Sequence, residues 1–291
     1  MTAPRASLGE RLWAAKRTLA SAMLWAGATL GTLLALTPLA LVLYYVAIQG
    51  IPALSLAFFT QLPAPVGEPG GGMGNAILGT AILVGLASLL GLPIGILGGI
   101  YLAEFGRHRF GALVRFAADV ISGVPSIVVG SFIYAVMVVR MGHFSALAGG
   151  TALGVMMIPA VMRTTEEVLR LVPISLREAS FSLGATHCRT VFRVVLVAAR
   201  SGVITGVLLA VARVAGETAP LLFTAGNSRY WPSGLNDWIA SLPVQIYTYA
   251  IAPYDDWHAQ AWAGALVLVT MVLVLSAAAR YATRGRLRVV R

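Results

Sequence analysis

The run V-A-R-V-A-G-E-T-A-P, Val211 to Pro220, sets Arg213 and Glu217 inside a stretch that is otherwise apolar from Ser201 to Phe223. A charged side chain at bilayer depth costs about 2.5 to 3.5 kcal/mol on insertion scales, so each must be paired or face a polar cavity. The i, i+4 spacing puts the two on one helix face. At roughly 1.5 Å per residue, Arg213 lies about 18 Å beyond Ser201, near the bilayer midplane. Pro220 cannot donate to the carbonyl of Gly216, so the helix loosens beside the pair and beside Thr218. An arginine there offers a planar fork of donors to an oxyanion, and a carboxylate accepts a hydrogen bond from an anion that still carries an O–H. The structural alternative is an ion pair that holds helices together.

Such a pair needs a membrane-spanning frame, and the composition supplies one. The chain has 291 residues, 58% of them hydrophobic and only 11% charged, and its mean hydropathy of +0.83 lies far outside the range of soluble domains. Segments of about 20 apolar residues, enough to cross a hydrocarbon core, occur at about 20–48, 74–103, 113–138, 145–162, 202–224 and 259–279. The expected fold is all-α and polytopic with about six transmembrane helices. A membrane domain covers 20–279, between a segment at 1–19 and a basic tail at 280–291. The first apolar stretch is too long for a signal peptide and lacks a small-residue cleavage site, so it reads as a retained span.

The net charge of +10 would suggest nucleic acid in a soluble protein, but its distribution points elsewhere. Of 21 basic residues, 18 fall before the first span, between spans two and three, between spans four and five, or in the tail. Arg140 and Arg229 stand opposite, and Arg213 lies inside. The positive-inside rule therefore makes both termini cytoplasmic, as an even number of spans requires, with no call for nucleic acid. Cys188 is the single cysteine, so no intrachain disulfide can form.

Several segments shape this frame. Gly91, Gly95 and Gly99 leave one face of the second span almost bare, where another helix can approach closely. The third span is interrupted by G-V-P-S-I-V-V-G, Gly123 to Gly130, where Pro125 disfavours helix at Val124; either the break lines a cavity, with Ser126 in it, or it is a simple kink. Asp119 lies one turn earlier. The run P-G-G-G-M-G, Pro69 to Gly74, reads as a flexible hinge. The outer loop at 226–258 carries Trp231, Trp238, Tyr247, Tyr249, Tyr254 and Trp257, which suit headgroup anchoring or the docking of an extracytoplasmic partner.

The cytoplasmic segment at 164–200 is the longest on its side. Pro173 stops the fourth helix, S-L-R-E from Ser175 to Glu178 matches a capping box, Gly184 ends the short helix, and Thr186 can cap the next. Leu176, Ala179, Ser180 and Leu183 form a small, apolar face, with Arg177, Glu178 and Phe181 turned away from it. The segment is a surface hairpin or a helix offering charge to a soluble partner.

The run E-A-S-F-S-L-G-A, Glu178 to Ala185, with V-V-L at Val194 to Leu196, resembles the EAA loop of ABC importer permeases; Val197 stands where that family often has proline. G-V-P-S-I-V-V-G, then A-R-V-A-G-E-T-A-P-L-L-F-T-A (Ala212 to Ala225) and S-L-P-V-Q-I-Y (Ser241 to Tyr247), resemble the PstA-type permease family of phosphate-specific ABC importers from about Gly71 to the last span. The resemblance implies a multi-pass protein of the bacterial inner membrane that shares its path with a homologous permease of the PstC type. It also implies a PstB-type ATPase dimer docked on a coupling helix at Arg177, Glu178, Ala179, Gly184 and Ala185, and a PstS-type extracytoplasmic phosphate-binding protein. ATP and Mg would be bound by the ATPase, and this chain would hold no cofactor. Arg213, Glu217, Thr218 and Ser126 become the expected substrate path.

With phosphate as the anion, Glu217 takes on a second role, because sulfate has no O–H to donate and would meet an unpaired negative charge. A permease for another oxyanion, or an ATP-independent anion transporter, would also use a buried Arg–Glu pair; the latter has no need of the coupling segment. No other constellation competes. His108, His143, His187 and His258 are scattered without metal spacing, and no serine sits in a G-x-S-x-G elbow. Glu166 with Glu167, and Asp255 with Asp256, read as solvated pairs on loops. No G-x-x-x-x-G-K-[ST] occurs, so the chain hydrolyses no nucleotide by a P-loop. No catalytic or metal-ligating residue is expected.

Overall fold

The computed structural model describes residues 8–284 apart from Gly67, Pro69 and Arg107. Arg5, Arg107, Arg286, Arg288 and Arg291 of the basic set, and Pro69 of the glycine-rich run, lie outside the described residues. Among those described, every element is helical apart from one antiparallel bridge between Pro63 and Gly71. The chain divides into two units, residues 1–49 and 50–291.

The first unit is α1 (Leu8–Gly50), 43 residues long, or about 64 Å at 1.5 Å per residue, well beyond the span expected at 20–48. Its leucines from Leu19 to Leu43 and Trp25 are exposed, as lipid-facing side chains are. Thr29, Thr32 and Thr37 each donate to the carbonyl four residues back, so their hydroxyls carry no unmet donor into the apolar surface.

The second unit begins with a 3-10 turn (Ile51–Ala53) and the short α2 (Leu56–Thr60), followed by α3 (Gly74–Glu104) and α4 (Arg109–Gly123). Next come α5 (Ser126–Ile133), a π turn (Tyr134–Val138) and α6 (Val139–Met141), then α7 (Ala146–Arg170). A short pair, α8 (Ile174–Ser182) and α9 (His187–Thr190), leads through a second π turn (Val191–Val195) into α10 (Leu196–Ala215). The chain closes with α11 (Ala219–Thr224), α12 (Leu242–Ala250) and α13 (Asp255–Arg284).

Helices α3 and α7 form the centre. A Cβ on Gly91 would lie 2.9 Å from Met157 Cβ, one on Gly95 2.7 Å from Val161 Cβ, and one on Gly99 2.6 Å from the Met162 carbonyl oxygen. The glycine stripe is the close-approach face expected of it. Helix α7 answers with Gly150 and Gly154, which receive Leu86 and Leu90.

Among the described residues five helices are long and apolar enough to cross a membrane, and the α4–α6 pair makes a sixth if counted as one span bent by 101°. The packing shows that the bent pair travels from one end of α7 to the other. Val114 and Ala118 of α4 pack on Ile158 and Met162, toward the C-terminal half of α7. Ile133 and Val138, after the bend, pack on Ala148 and Ala152 near its start. A re-entrant hairpin would return to the end it left. The pair runs instead along the length of α7, which favours counting it as one bent span and brings the candidate spans among the described residues to six.

Three expectations are corrected. The run ending at Gly74 is packed: Met73 is fully buried, its N–H donates to the Phe58 carbonyl, and Gly72 and Gly74 donate to Leu62 and Gln61. Glycine is needed there because Gly71 has φ +75° and a Cβ on Gly74 would meet the Phe59 carbonyl oxygen at 2.7 Å. The outer loop contains α12, and its aromatics are divided. Tyr249 and Trp257 stack at 4.4 Å in a buried cluster with Phe58 and Leu242, while Tyr230 and Trp238 are exposed. Asp255 and Asp256 open α13, where carboxylates suit the positive end of the helix dipole.

Candidate functional site

The span expected at 202–224 is also broken. Helix α10 ends at Ala215, and the N–H groups of Gly216 and Glu217 turn back to the Arg213 and Val214 carbonyls in tight i+3 bonds. Helix α11 starts anew at Ala219 with Pro220 in its first turn, a position where proline's missing donor costs nothing. The i, i+4 helix face proposed for Arg213 and Glu217 therefore does not exist, and among the described residues no ion pair joins them.

What the break does instead is bring the two residues to a common wall. A cavity of about 230 Å³ lies between the two breaks, lined by Ser122, Pro125 and Ser126 from the first and by Arg213 and Glu217 from the second. Met156 and Ala160, at the middle of α7, form its back. Since α7 spans 25 residues, or about 37 Å, its middle sits near mid-depth of a hydrocarbon core about 30 Å thick. Gly130 holds the two broken spans together: a Cβ there would sit 2.6 Å from Pro220 Cα.

The chemistry of this wall suits an anion. Arg213 stands in the last turn of α10 and is exposed toward the cavity mouth, while Glu217 is half-buried. Helix α5 begins at Ser126 and Val128 is the first residue after Pro125 whose N–H finds a carbonyl, so the positive end of α5 is presented at the cavity. Thr218 is half-buried next to Glu217 but does not line the cavity. Ser122, one residue before the G-V-P-S break, does line it and was not expected; its position beside Gly123 was the available signal. Among the described residues no group of three His, Cys, Asp or Glu is placed to hold a metal ion.

The segment expected at 164–200 to be the coupling segment holds two short helices, α8 and α9, with differences in detail from the expectation. Pro173 occupies the N-cap position of α8 and no side chain caps it, so Ser175 falls inside the helix and the capping box is not formed. Gly184 ends α8 with φ +77°, and Ala185 donates to the Ser180 carbonyl, the six-to-one bond of a Schellman turn. Thr186 caps α9 through Arg189 N–H. Ser180 is buried on the Thr190 hydroxyl at 2.8 Å, but Leu183 is 89% exposed, so the apolar face is not packed down on its own chain. Glu178 and Ala179 are exposed. Arg177 is engaged inside the chain, donating to Glu104 Oε1 at 2.8 Å and to the Leu169 and Val172 carbonyls at the end of α7. A groove of about 710 Å³ beside α8 is lined by Glu104, Arg170, Arg177, Glu178, Phe181 and His187, among others.

Glu166 is the largest departure from expectation. It lies within α7, and its side chain is 2% exposed. Arg115 reaches it at 2.6 Å, Arg170 at 2.7 Å and Arg163 at 3.2 Å, while Arg163 also meets Asp119 at 3.1 Å.

Backbone broken at membrane depth is stable only where it is buried in protein or lines a cavity. Two such breaks meeting at one cavity, with an exposed helical pair below, define the membrane-spanning component of a transporter. Residues 95–288 match the family model described as binding-protein-dependent transport system inner membrane component, and the chain belongs to that family. The phosphate transport system permease protein PstA of Yersinia pestis is 47% identical over 82% of this chain and 81% of its own length. The probable phosphate transport system permease protein PstA of Methanocaldococcus jannaschii is 37% identical over 88% of this chain and 91% of its own. Among solved structures, the inward-facing MetNI methionine ABC transporter covers 72% of this chain and 92% of its own, with a TM-score of 0.58 at 21% identity, which supports the fold. The chain is thus a multi-pass, non-catalytic subunit of the inner membrane. A permease of this kind works with an ATPase and a binding protein.

Proposed function

We propose that this chain is the permease subunit through which an ATP-driven importer carries inorganic phosphate into the cell. The observation that carries this reading is the mid-depth cavity that unites Arg213, Glu217 and Ser126 from two broken spans, in a chain whose relatives at 47% identity are phosphate permeases. Arg213 supplies the bidentate fork for the phosphate oxygens. The N–H groups at the start of α5 and the Ser126 hydroxyl donate to others. Glu217, which makes no ion pair with Arg213, accepts a hydrogen bond from the O–H of monohydrogen phosphate.

Arg213 is exposed in this chain alone, which fits a path completed by a second, homologous permease of the PstC type. A PstB-type ATPase dimer docks on α8 at Glu178 and Ala179, with Gly184 and Ala185 shaping the turn. Arg177 positions α8 and does not reach toward the partner. ATP binding closes the cytoplasmic side and opens the outer side to a phosphate-loaded PstS-type protein; hydrolysis resets it. ATP and Mg belong to the ATPase.

The reading is tested with Glu217→Gln in proteoliposomes, under conditions that bypass the binding protein's own selectivity. Glutamine keeps the size and one acceptor but removes the negative charge that repels sulfate, so the ratio of phosphate to sulfate uptake is expected to fall. An unchanged ratio assigns discrimination elsewhere and reopens the reading of a permease for another oxyanion.

A further inference from the structure

The C-terminal end of α3 is gripped from two sides. Arg177 of α8 holds Glu104, the last residue of α3, and also the Leu169 and Val172 carbonyls that close α7. Arg115 of α4 holds the Leu102 carbonyl at 2.8 Å and the Gly106 carbonyl at 2.9 Å, and its Nε lies 2.6 Å from Glu166. Glu166 gathers Arg163 as well, and Arg163 passes the connection back to α4 through Asp119. Asp119 stands two residues before Ile121, which lines the cavity. Two ionic groups, Arg177–Glu104 and Arg115–Glu166–Arg163–Asp119, therefore meet through the α3 backbone at Leu102 to Gly106, the second reaches within two residues of the cavity wall, and Glu166 is the most buried member of either.

The two halves of the broken third span are fastened differently. Among the described residues α4 is tied to α7 by the ion pairs Arg115–Glu166 and Asp119–Arg163, which fix distance and direction. The segment after the break meets α7 through Ile133 and Val138 against Ala148 and Ala152, apolar packing that has no directional bond to lose when it slides. Between them lies Val124–Pro125, with helix broken on either side. Ser122 stands on the ionic side of this joint and Ser126 on the apolar side, and both line the cavity. A displacement of α4 relative to α5 thus changes the cavity wall directly.

We infer that Glu166 is a positioning residue for transport: with Arg115, Arg163 and Asp119 it makes α4 follow the coupling helix, so that movement at α8 reshapes the cavity at the Val124–Pro125 joint. This rests on the assignment of the chain as an importer permease, and not on which oxyanion it carries. Glu166 touches no substrate, so its loss leaves recognition intact and lowers the transport obtained from each ATP. A side chain that merely stabilised the fold would instead reduce the amount of transporter and leave the yield per ATP unchanged.

The test uses the complete transporter in proteoliposomes with binding protein outside and ATP inside, and reads radiolabelled phosphate uptake and ATP hydrolysis in the same vesicles. For Glu166→Gln the KM for phosphate-loaded binding protein is expected to stay at its original value, while phosphate carried per ATP falls about tenfold, within the usual range of coupling between sites. Asp119→Asn, at a half-exposed position that tolerates substitution, is expected to lower the same ratio by a smaller factor. Glu166→Asp, which keeps the charge, is expected to restore part of it. Phosphate per ATP at the original value in Glu166→Gln overturns the inference. If that variant does not assemble, Asp119→Asn decides, and an undiminished ratio there also overturns it. Should the unaltered transporter carry a different oxyanion and no phosphate, the substrate reading fails, and the ratio measured with that anion still decides the role of Glu166.

Discussion

Gly130 is where the two broken spans touch, and a single methyl group there tests whether that contact shapes the cavity. An ideal Cβ on Gly130 would lie 2.6 Å from Pro220 Cα, 3.1 Å from the Pro220 carbonyl oxygen and 3.2 Å from its Cβ. Ordinary carbon contacts need about 3.5 to 4.0 Å, so α5 and α11 must separate by about 1 Å. The obstacle is backbone and cannot rotate away. Overpacking of this kind costs about 1 to 3 kcal/mol, part of which the better helix propensity of alanine, about 1 kcal/mol over glycine, returns. Gly130→Ala is therefore expected to leave a folded, assembled permease with a displaced cavity wall and phosphate uptake reduced about tenfold. Gly85→Ala in α3 is the control, since nothing lies within 4 Å of a Cβ there; it is expected to transport normally and melt no lower than the original. Uptake and thermal melting of both variants in the assembled transporter check this. Unimpaired uptake by Gly130→Ala would refute the claim that this contact sets the cavity.

Gly184→Val forces a β-branched side chain into φ +77° and is expected to disrupt the turn after α8, releasing the ATPase on purification or uncoupling its hydrolysis from uptake; hydrolysis stimulated by loaded binding protein at the usual level would contradict this. Trp257→Ala removes a buried ring stacked at 4.4 Å on Tyr249, so the expected effect is a loss of about 3 to 5 kcal/mol of stability, read as a lower melting temperature in detergent. An unchanged melt with weakened binding of the extracytoplasmic phosphate-binding protein to the assembled transporter would instead make Trp257 a docking residue.

The features legible from sequence were those written in local periodicity or in a single residue's backbone chemistry. Gly91, Gly95 and Gly99 announce a helix contact by spacing alone, and Pro125 announces the first break because it lacks a donor. The second break was half legible: Pro220 pointed to loosened helix near Gly216, but the turn that ends α10 at Ala215 is followed by Pro220 seated against Gly130, a partner 90 residues away in sequence with no local signature. That turn is why Arg213 and Glu217 are neighbours on a cavity and not partners on a helix. Glu166 was misplaced because an apolar span was ended at 162, whereas α7 continues to Arg170. Arg163, Glu166 and Arg170, at i, i+3 and i+7, already form a helical ladder; Arg115, 51 residues upstream, has no local signature. The run at Gly71 to Gly74 shows the same limit, since glycine chosen for close packing and glycine chosen for flexibility look alike in one dimension.

Arg213→Lys tests the central claim most directly, because it keeps the positive charge at the cavity and removes the planar fork. Losing one charge-assisted hydrogen bond to the anion, worth about 1.5 to 3 kcal/mol, corresponds to a loss of about tenfold or more at 1.36 kcal/mol per factor of ten. Phosphate uptake into proteoliposomes containing the assembled transporter should fall by at least about that factor, with subunit assembly and melting temperature retained. Uptake by Arg213→Lys at the rate of the unaltered protein would contradict the account and move the phosphate path away from this cavity wall.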